Sequence, residues 1–177
     1  MTGDEFGMAA REPGWCLRPA VPEDSPTVVA FRRMMFEAMG YRDVAALDAM
    51  ADAAGVYFPR AIRTGEYRGW IAEVGGQAVA TAGLVIHAVP PSPANLVGQA
   101  GYIMNICTAP AWRGRGIASA LLDRMLAHLR AEGIPAASLH ATDDGRPIYE
   151  RAGFAPSNEM RIHLADGRDP RLVRRDR

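Results

Sequence analysis

Arginines and glycines alternate in the stretch RGRGIA, residues 113–118, directly before a run with helical apolar spacing. The first amides of a helix have no partners within the helix, and the helix dipole places partial positive charge at the same end. Gly114 and Gly116 allow the backbone to approach a ligand closely or to adopt positive φ. Arg113 and Arg115 can add charge-assisted hydrogen bonds to phosphate oxygens. The stretch therefore predicts a phosphate-binding turn, with a tight basic connection as the alternative.

Two other nucleotide-binding motifs compete for this turn. A Walker P-loop requires GK(S/T), but all 20 basic residues of this chain are arginine, which also excludes Schiff-base chemistry on a lysine. The run GRGIAS, residues 114–119, comes close to the GxGxxG fingerprint. In a Rossmann domain that fingerprint follows the first strand of a parallel βαβ unit, with an acid about 20 residues further on. Here it follows a hairpin-rich half and the next β-rich run ends without an acid, so a dinucleotide-binding oxidoreductase is the weaker alternative.

Periodicity indicates which elements must position the turn. β-rich runs predict strands over residues 15–20, 69–74, 77–87, 101–109, 136–141 and 158–164. Helical spacing with start and stop residues predicts helices over residues 22–39, 43–54, 57–64, 117–130 and 145–152. The Gly75-Gly76 link indicates a hairpin, and the Pro-rich residues 89–100 are expected to form an exposed loop. This order predicts a mixed α/β sandwich of layers and not a regular βαβ array.

Bulk composition limits the class of protein. The chain has 177 residues, 49% of them hydrophobic, and a formal net charge of zero, which argues for one folded domain and against a protein that coats nucleic acid. Cys16 and Cys107 have no CxxC spacing and the four histidines form no HExxH pair, so we predict a reduced intracellular protein without a metal. No apolar run approaches the roughly 20 residues of a membrane span, and residues 1–14 lack the apolar core of a signal peptide. We therefore expect a cytoplasmic location and no membrane partner.

Three segments of the chain resemble the GNAT superfamily of acyl-CoA-dependent N-acyltransferases. The family hallmark (R/Q)-x-x-G-x-(G/A), at a strand-to-helix turn, is matched by Arg113, Gly116 and Ala118. The segment LRPAVPED, residues 17–24, resembles the first strand and helix start of the family. IYERAGF, residues 148–154, resembles its later LYxxxGF motif. The three segments occur in the family's order.

The resemblance extends over residues 15–164 and implies the domain organisation. We expect a GNAT-like N-acetyltransferase domain over residues 15–165, with a mixed, mostly antiparallel central sheet flanked by helices. Residues 1–14 are expected to be a disordered N-terminal segment, and residues 166–177 a polar tail.

The resemblance also implies acetyl-CoA as co-substrate. In this family the turn grips the pyrophosphate of coenzyme A with backbone amides, here those of Arg113, Gly114, Arg115, Gly116, Ile117, Ala118 and Ser119. The strand before the turn leaves main-chain groups free to pair with the pantetheine arm, by position those of Ile106 and Thr108. The acyl carbonyl would then lie beside the amide of Ile106, which suits a developing oxyanion. Thr142 stands where the family often has an asparagine that contacts the pantetheine.

The same resemblance implies one residue that could transfer a proton, and residue type and position suggest others. Tyr149 matches the family's general acid, since a phenol with an unperturbed pKa of about 10 could protonate a departing thiolate; a packing tyrosine is the alternative. His140 is the best single candidate for the general base, with a structural histidine as the alternative. Further candidates, each also interpretable as a solvated charge, are Glu37, Asp43, Glu73 and Asp143. Asn105 could line the acceptor pocket, and Cys107 is expected to pack and not to act as a nucleophile.

The leading hypothesis is an N-acetyltransferase in which a primary amine, of a small molecule, directly attacks acetyl-CoA in a ternary complex. A non-catalytic acyl-CoA-binding domain and a protein-amine acetyltransferase are the alternatives. Acids that could attract a cationic acceptor, or form an ordinary solvated surface, are Glu37, Asp43, Asp48 and Asp52. We also expect a homodimer formed through residues 158–164 and the Pro-rich loop.

Overall fold

The computed structural model describes residues 14–160 and residue 162. Its strands form one sheet in the order β1-β2-β3-β4-β5, with β1 (Cys16–Pro19), β2 (Arg68–Val74), β3 (Gln77–Ala88), β4 (Gln99–Thr108) and β5 (Ala137–Leu139). The α-helices are α1 (Ser25–Ala38), α2 (Val44–Thr64), α3 (Ile117–Ala131) and α4 (Arg146–Arg151). Across the described residues, no helix is long and apolar enough to cross a membrane.

The sheet is mixed and mostly antiparallel, which confirms the predicted fold class. Each of the first three strands pairs antiparallel with the next, and β5 pairs parallel with β4. Gly75 and Gly76 join β2 to β3 with φ values of +57° and +81°. Two consecutive positive φ angles match the tight hairpin turn that twists with the sheet, so the predicted hairpin is confirmed.

Helices cover both faces of the sheet. On one face α3 buries Leu121, Leu122 and Met125 in a cluster that includes Leu84 and Ile103. On the other face α1 and α2 pack over a second cluster that contains Val28, Phe58 and Tyr67, with Val85 and Met104 against it. Adjacent residues of β3 and β4 belong to different clusters because successive side chains of a strand point to opposite faces. The sheet is therefore the central layer between two apolar cores.

The two helices predicted over residues 43–54 and 57–64 are one helix, and the break at Gly55 was wrong. Buried Leu47, Ala54, Phe58 and Ala61 recur at helical spacing along α2, so tertiary packing holds the helix through the glycine. Gly55 is exposed and Pro59 lies within the helix, where its missing amide would have donated to the carbonyl of residue 55. The predicted stop at Gly65 is correct, since this residue caps α2 in the left-handed conformation.

The last predicted strand is not seen in the described residues of its segment. Residues 158–160 and 162 have no strand assignment, and the rest of 158–164 lies outside the described residues. Met160 and Ile162 are 95% and 78% exposed, so the alternating pattern that predicted a strand buries no apolar surface here. The expected disordered segment and polar tail, apart from Gly14 in a turn, also lie outside the described residues.

Candidate active site

β4 and the neighbouring edge strand β5 separate part-way along β4. β4 and β5 pair over three residues, from Gly101↔Ala137 to Ile103↔Leu139. The amide of Gly101 donates to the carbonyl of Ala136 at 2.9 Å, so this edge of β4 faces β5. β4 continues to Thr108, and no described strand pairs with this edge beyond Ile103. The separation leaves an open main-chain edge beside the end of β4.

A bulge in β4 determines which residues face that edge. Met104 pairs with Gly83 and Cys107 with Thr81, so β4 carries one more residue than β3 in this interval. The extra residue reverses the direction of the backbone groups, because the amide of Ala109 donates to Val79 on the β3 side at 2.9 Å. Ile106 and Thr108, the two residues predicted to pair with the pantetheine arm, therefore direct their main-chain groups towards the open edge.

Asn105 forms the bulge and is held by side chains from the α1 and α2 face. Among the described residues, Asn105 is the non-glycine residue that adopts a positive φ, +56°, and its side chain is buried, with 3% exposure. Its Oδ1 accepts a hydrogen bond from Arg32 Nη1 at 2.5 Å, and its Nδ2 donates to the Tyr67 hydroxyl at 3.2 Å. Burial raises the pKa of Tyr67 to about 12, so this phenol stays protonated. The network fixes the strained bulge next to Ile106.

The RGRGIA turn follows β4 and begins α3. Gly114 and Gly116 have φ values of +74° and +78°, and Gly116 is the N-cap of α3 in the left-handed conformation. Arg113 Nε donates to the Thr108 carbonyl at 3.2 Å, and the Arg115 guanidinium lies 4.4 Å from the centre of the Trp112 ring. The turn is exposed, and it presents the first amides of α3 together with two cations to solvent. Such a turn can bind an anion.

Tyr149 and Thr142 meet at the start of α4. The Thr142 hydroxyl accepts a hydrogen bond at 3.2 Å from the amide of Gly145, the N-cap residue of this short helix. The Tyr149 ring lies against Gly145 and, like Ile106, packs on the α3-side core. Burial raises the pKa of the Tyr149 phenol, which keeps it protonated at neutral pH. The structure places this proton donor in α4, on the same core cluster as Ile106 of β4.

The candidate proton acceptors, His140 and four carboxylates, lie in different parts of the structure. His140 follows β5, is exposed, and its Nδ1 forms a short hydrogen bond with the Tyr102 hydroxyl of β4. The proposed carboxylates are engaged elsewhere or lie on the surface: Glu37 pairs with Arg33, Asp43 caps α2, Glu73 pairs with Arg18, and Asp143 is exposed. Among these candidates, His140 alone is linked to a side chain of β4.

Comparison with known proteins decides the family. Residues 32–154, more than half of the chain, match the model of the Acetyltransferase (GNAT) family. The chain belongs to the GNAT acetyltransferase family. It is an acetyl-CoA-dependent N-acetyltransferase, and both the predicted family and the predicted fold are confirmed.

Solved structures of GNAT proteins resemble this chain along most of its length. One is a GCN5-related N-acetyltransferase from Ralstonia eutropha JMP134, with 37% identity, 85% of this chain and 99% of that chain covered, and a TM-score of 0.80. Another is a predicted acetyltransferase with acetyl-CoA from Clostridium acetobutylicum, with 29% identity and a TM-score of 0.75. The match covers 85% of this chain and 96% of that chain.

The described residues of this GNAT chain fit coenzyme A at the open edge. The edge of β4 beyond its pairing with β5 offers main-chain groups to an extended arm, and the turn after it offers amides and arginines to a pyrophosphate. Thr108 adds a further donor, because its hydroxyl is buried without a hydrogen-bond partner in the described part of the chain. An orphaned hydroxyl at this edge is satisfied if a polar ligand lies against it.

A cavity of about 360 Å³ opens on the opposite side of the bulge, between α1, α2 and β4 of the GNAT fold. It is lined by Arg32, Met50, Ala53, Ala54, Tyr57, Phe58 and Met104. No role for these side chains was predicted from the sequence. One signal was present for Arg32, which lies four residues after Val28 and four before Phe36, within the apolar stripe of α1.

Cys107 is the buried cysteine near this site. Its side chain is 6% exposed, and burial raises the pKa of the thiol to about 11, an effect that Arg113 partly opposes. A thiol with this pKa is a poor nucleophile at neutral pH, which agrees with the expectation that it packs.

Proposed function

We propose that this GNAT enzyme transfers the acetyl group of acetyl-CoA to a primary amine of a small molecule, by direct attack in a ternary complex. The observation that carries the proposal is the cavity between α1, α2 and β4. It lies next to the Asn105 bulge, and its volume of about 360 Å³ is typical of a small-molecule pocket.

Residues on the other side of the bulge would hold the co-substrate. We assign the pyrophosphate to the amides of residues 113–119 and the pantetheine arm to the main chain of Ile106 and Thr108. Thr142, whose hydroxyl accepts a hydrogen bond from the Gly145 amide, would contribute its remaining hydrogen-bonding capacity. When bound, acetyl-CoA supplies an activated acetyl thioester.

Three residues would act on the reacting atoms. The amide of Ile106 donates to the acyl oxygen, where negative charge develops during attack. Tyr149 donates its proton to the leaving sulfur. His140, linked to Tyr102, accepts a proton from the acceptor amine, directly or through water. The raised pKa of Cys107 supports direct attack, since a covalent acetyl-cysteine would need a thiolate.

An amine survey tests this function. The enzyme is incubated with acetyl-CoA and a library of small amines or peptides, and free thiol is measured alongside the mass of the product. We expect thiol release that depends on a small amine and a product heavier by one acetyl group. Binding of acetyl-CoA with no amine-dependent release would instead support the non-catalytic alternative. Faster acetylation of peptides would support a protein acceptor.

We also propose that the enzyme is a homodimer. The loop between β3 and β4 exposes Leu96 and Val97, which are 81% and 57% accessible, and a second copy could cover them. We expect light scattering to give the mass of two chains, and the double variant Leu96→Ser/Val97→Ser to shift it towards one. A single-chain mass of the unaltered protein at every concentration would contradict the dimer.

A further inference from the structure

Arg32 is a cation in a cavity that is otherwise mostly apolar. Its side chain lines the cavity, and its neighbours there are methionine, alanine, phenylalanine and tyrosine side chains. The guanidinium donates from Nη1 to Asn105 Oδ1 and lies 4.9 Å from the centre of the Phe36 ring. Burial lowers the pKa of Arg32, while the nearby phenols of Tyr67, Tyr57 and Tyr102 oppose this change. Both the amide oxygen and the ring are neutral, so the charge is only partly compensated.

The neighbouring Arg33, on the same helix, differs from Arg32 because it forms ion pairs with carboxylates. Arg33 forms ion pairs with Glu37 at 3.0 Å and with Asp48 at 2.5 Å. Among the described residues, no aspartate or glutamate forms an ion pair with Arg32. Glu37 and Asp48 are also two of the four acids that, from the sequence, could attract a cationic acceptor, and both are engaged in these ion pairs. The charge that faces the cavity is therefore positive.

A guanidinium has five N–H donors in a planar fork, and the hydrogen bond to Asn105 uses one of them. The remaining donors suit a carboxylate, which accepts two parallel hydrogen bonds and neutralises one charge. A phosphate would bring a second negative charge into an apolar cavity, so the singly charged group fits better.

The position of Arg32 also limits how far the amine can be from the carboxylate. Asn105, which accepts the 2.5 Å hydrogen bond from Arg32, precedes Ile106, the residue assigned above to the acyl oxygen. An amine that attacks at Ile106 while its carboxylate binds Arg32 must carry both groups close together. In an α-amino acid a single carbon separates them.

We propose that Arg32 binds the carboxylate of the acceptor, and that the acceptor is an α-amino acid with an apolar side chain. This substrate class rests on the proposed acetyltransferase function. The apolar side chain occupies the part of the cavity lined by Met50, Phe58 and Met104. Burial of this side chain and neutralisation of Arg32 both favour binding.

The test compares each amino acid with the amine that lacks its carboxylate. L-Phenylalanine and phenethylamine, and L-leucine and isopentylamine, are assayed with the unaltered enzyme and the variants Arg32→Gln, Arg32→Lys and Arg33→Gln. We expect the unaltered enzyme to prefer the amino acids in kcat/KM by roughly 10- to 150-fold, the range for hydrogen bonds to a charged group. Arg32→Gln should remove this preference through KM, Arg32→Lys should keep part of it, and Arg33→Gln should leave it unchanged.

A binding measurement gives a readout without turnover. 3-Phenylpropionate has the apolar body and the carboxylate but no amine, and calorimetry should show binding to the unaltered enzyme that weakens at least 10-fold in Arg32→Gln. Thermal melting of each variant confirms that it is folded.

The outcomes separate this inference from the function on which it rests. Equal acetylation of phenylalanine and phenethylamine, or an equal loss of both in Arg32→Gln, would overturn the carboxylate site while the acetyltransferase function stands. Absence of 3-phenylpropionate binding to the unaltered enzyme would overturn it as well. The proposed function fails separately, if no amine in the wider library releases thiol.

Discussion

The phenol of Tyr149 gives the sharpest test of the proposed chemistry. Tyr149→Phe removes the proton donor and keeps the ring, which lies against Gly145 and forms an edge contact with Phe154 at 6.2 Å between centroids. Among the described residues the hydroxyl has no hydrogen-bond partner, so its removal leaves no buried group unsatisfied. We therefore expect the free energy of unfolding to change by less than about 0.5 kcal/mol.

The expected loss of turnover follows from the pKa of the donor. Burial raises the Tyr149 pKa above its usual value of about 10, whereas an alkyl thiol such as cysteine has a pKa of about 8.5. The proton must therefore move towards the weaker base, and water can compete with the phenol for this step. General acid catalysis is worth about 10²- to 10⁴-fold, and we expect the lower end, near 100-fold or about 2.7 kcal/mol.

The assay measures kcat by thiol release and the dissociation constant of acetyl-CoA by calorimetry. We expect kcat to fall about 100-fold and the dissociation constant to change only a few-fold. The donor works when protonated, so its contribution persists below its raised pKa and declines only as the pH rises through that value, above about 10. Phe154→Leu is the control, since it loosens the packing of the ring without removing the hydroxyl. A kcat within two-fold of the unaltered enzyme would refute the assignment, and an equal loss of acetyl-CoA affinity would make Tyr149 structural.

Two further predictions concern glycines. Gly116→Glu adds a negative charge where the pyrophosphate is assigned, at a position with a φ of +78°, so the affinity for coenzyme A, measured by calorimetry, should fall at least about 10-fold. Gly116→Asn is the control: asparagine tolerates this φ and adds no charge, so this variant should lose less affinity. Unchanged affinity in folded Gly116→Glu would show that the ligand binds elsewhere. Gly83→Ala places a Cβ into the buried Tyr67 ring, so the free energy of unfolding should fall by about 3 kcal/mol and the melting temperature by roughly 6–12 °C. Gly55→Ala is the matched control on the exposed side of α2, and it should raise the free energy of unfolding by about 0.5–1 kcal/mol. Equal melting temperatures for Gly83→Ala and the unaltered protein would contradict the close approach of Tyr67.

Local signals in the sequence account for the elements that the sequence predicted correctly. The Gly75-Gly76 hairpin, the Gly116 cap of α3 and the Gly133 that follows α3 all have positive φ, a conformation that glycine adopts without a steric penalty. Apolar spacing predicted α3 because its buried residues recur within one helix. The break at Gly55 was wrong because the burial of α2 against other elements outweighs the weak propensity of one residue. The strand predicted over residues 158–164 failed in its described part because alternation alone does not supply a partner strand.

By itself the sequence determined the family, the fold class and the glycine turn before α3, since each depends on residues close together in the chain. Only the tertiary structure decided the bulge at Asn105 and the cavity beside it. Arg32 and Asn105 are 73 residues apart and meet through a single hydrogen bond, which no local pattern records. The sequence shows that an arginine interrupts an apolar stripe, but whether that arginine finds a carboxylate depends on the elements that pack around it. Its neighbour Arg33 pairs with acids on two helices while Arg32 faces the cavity, because the packing of α1 against β4 turns one guanidinium inward and leaves the other at the surface.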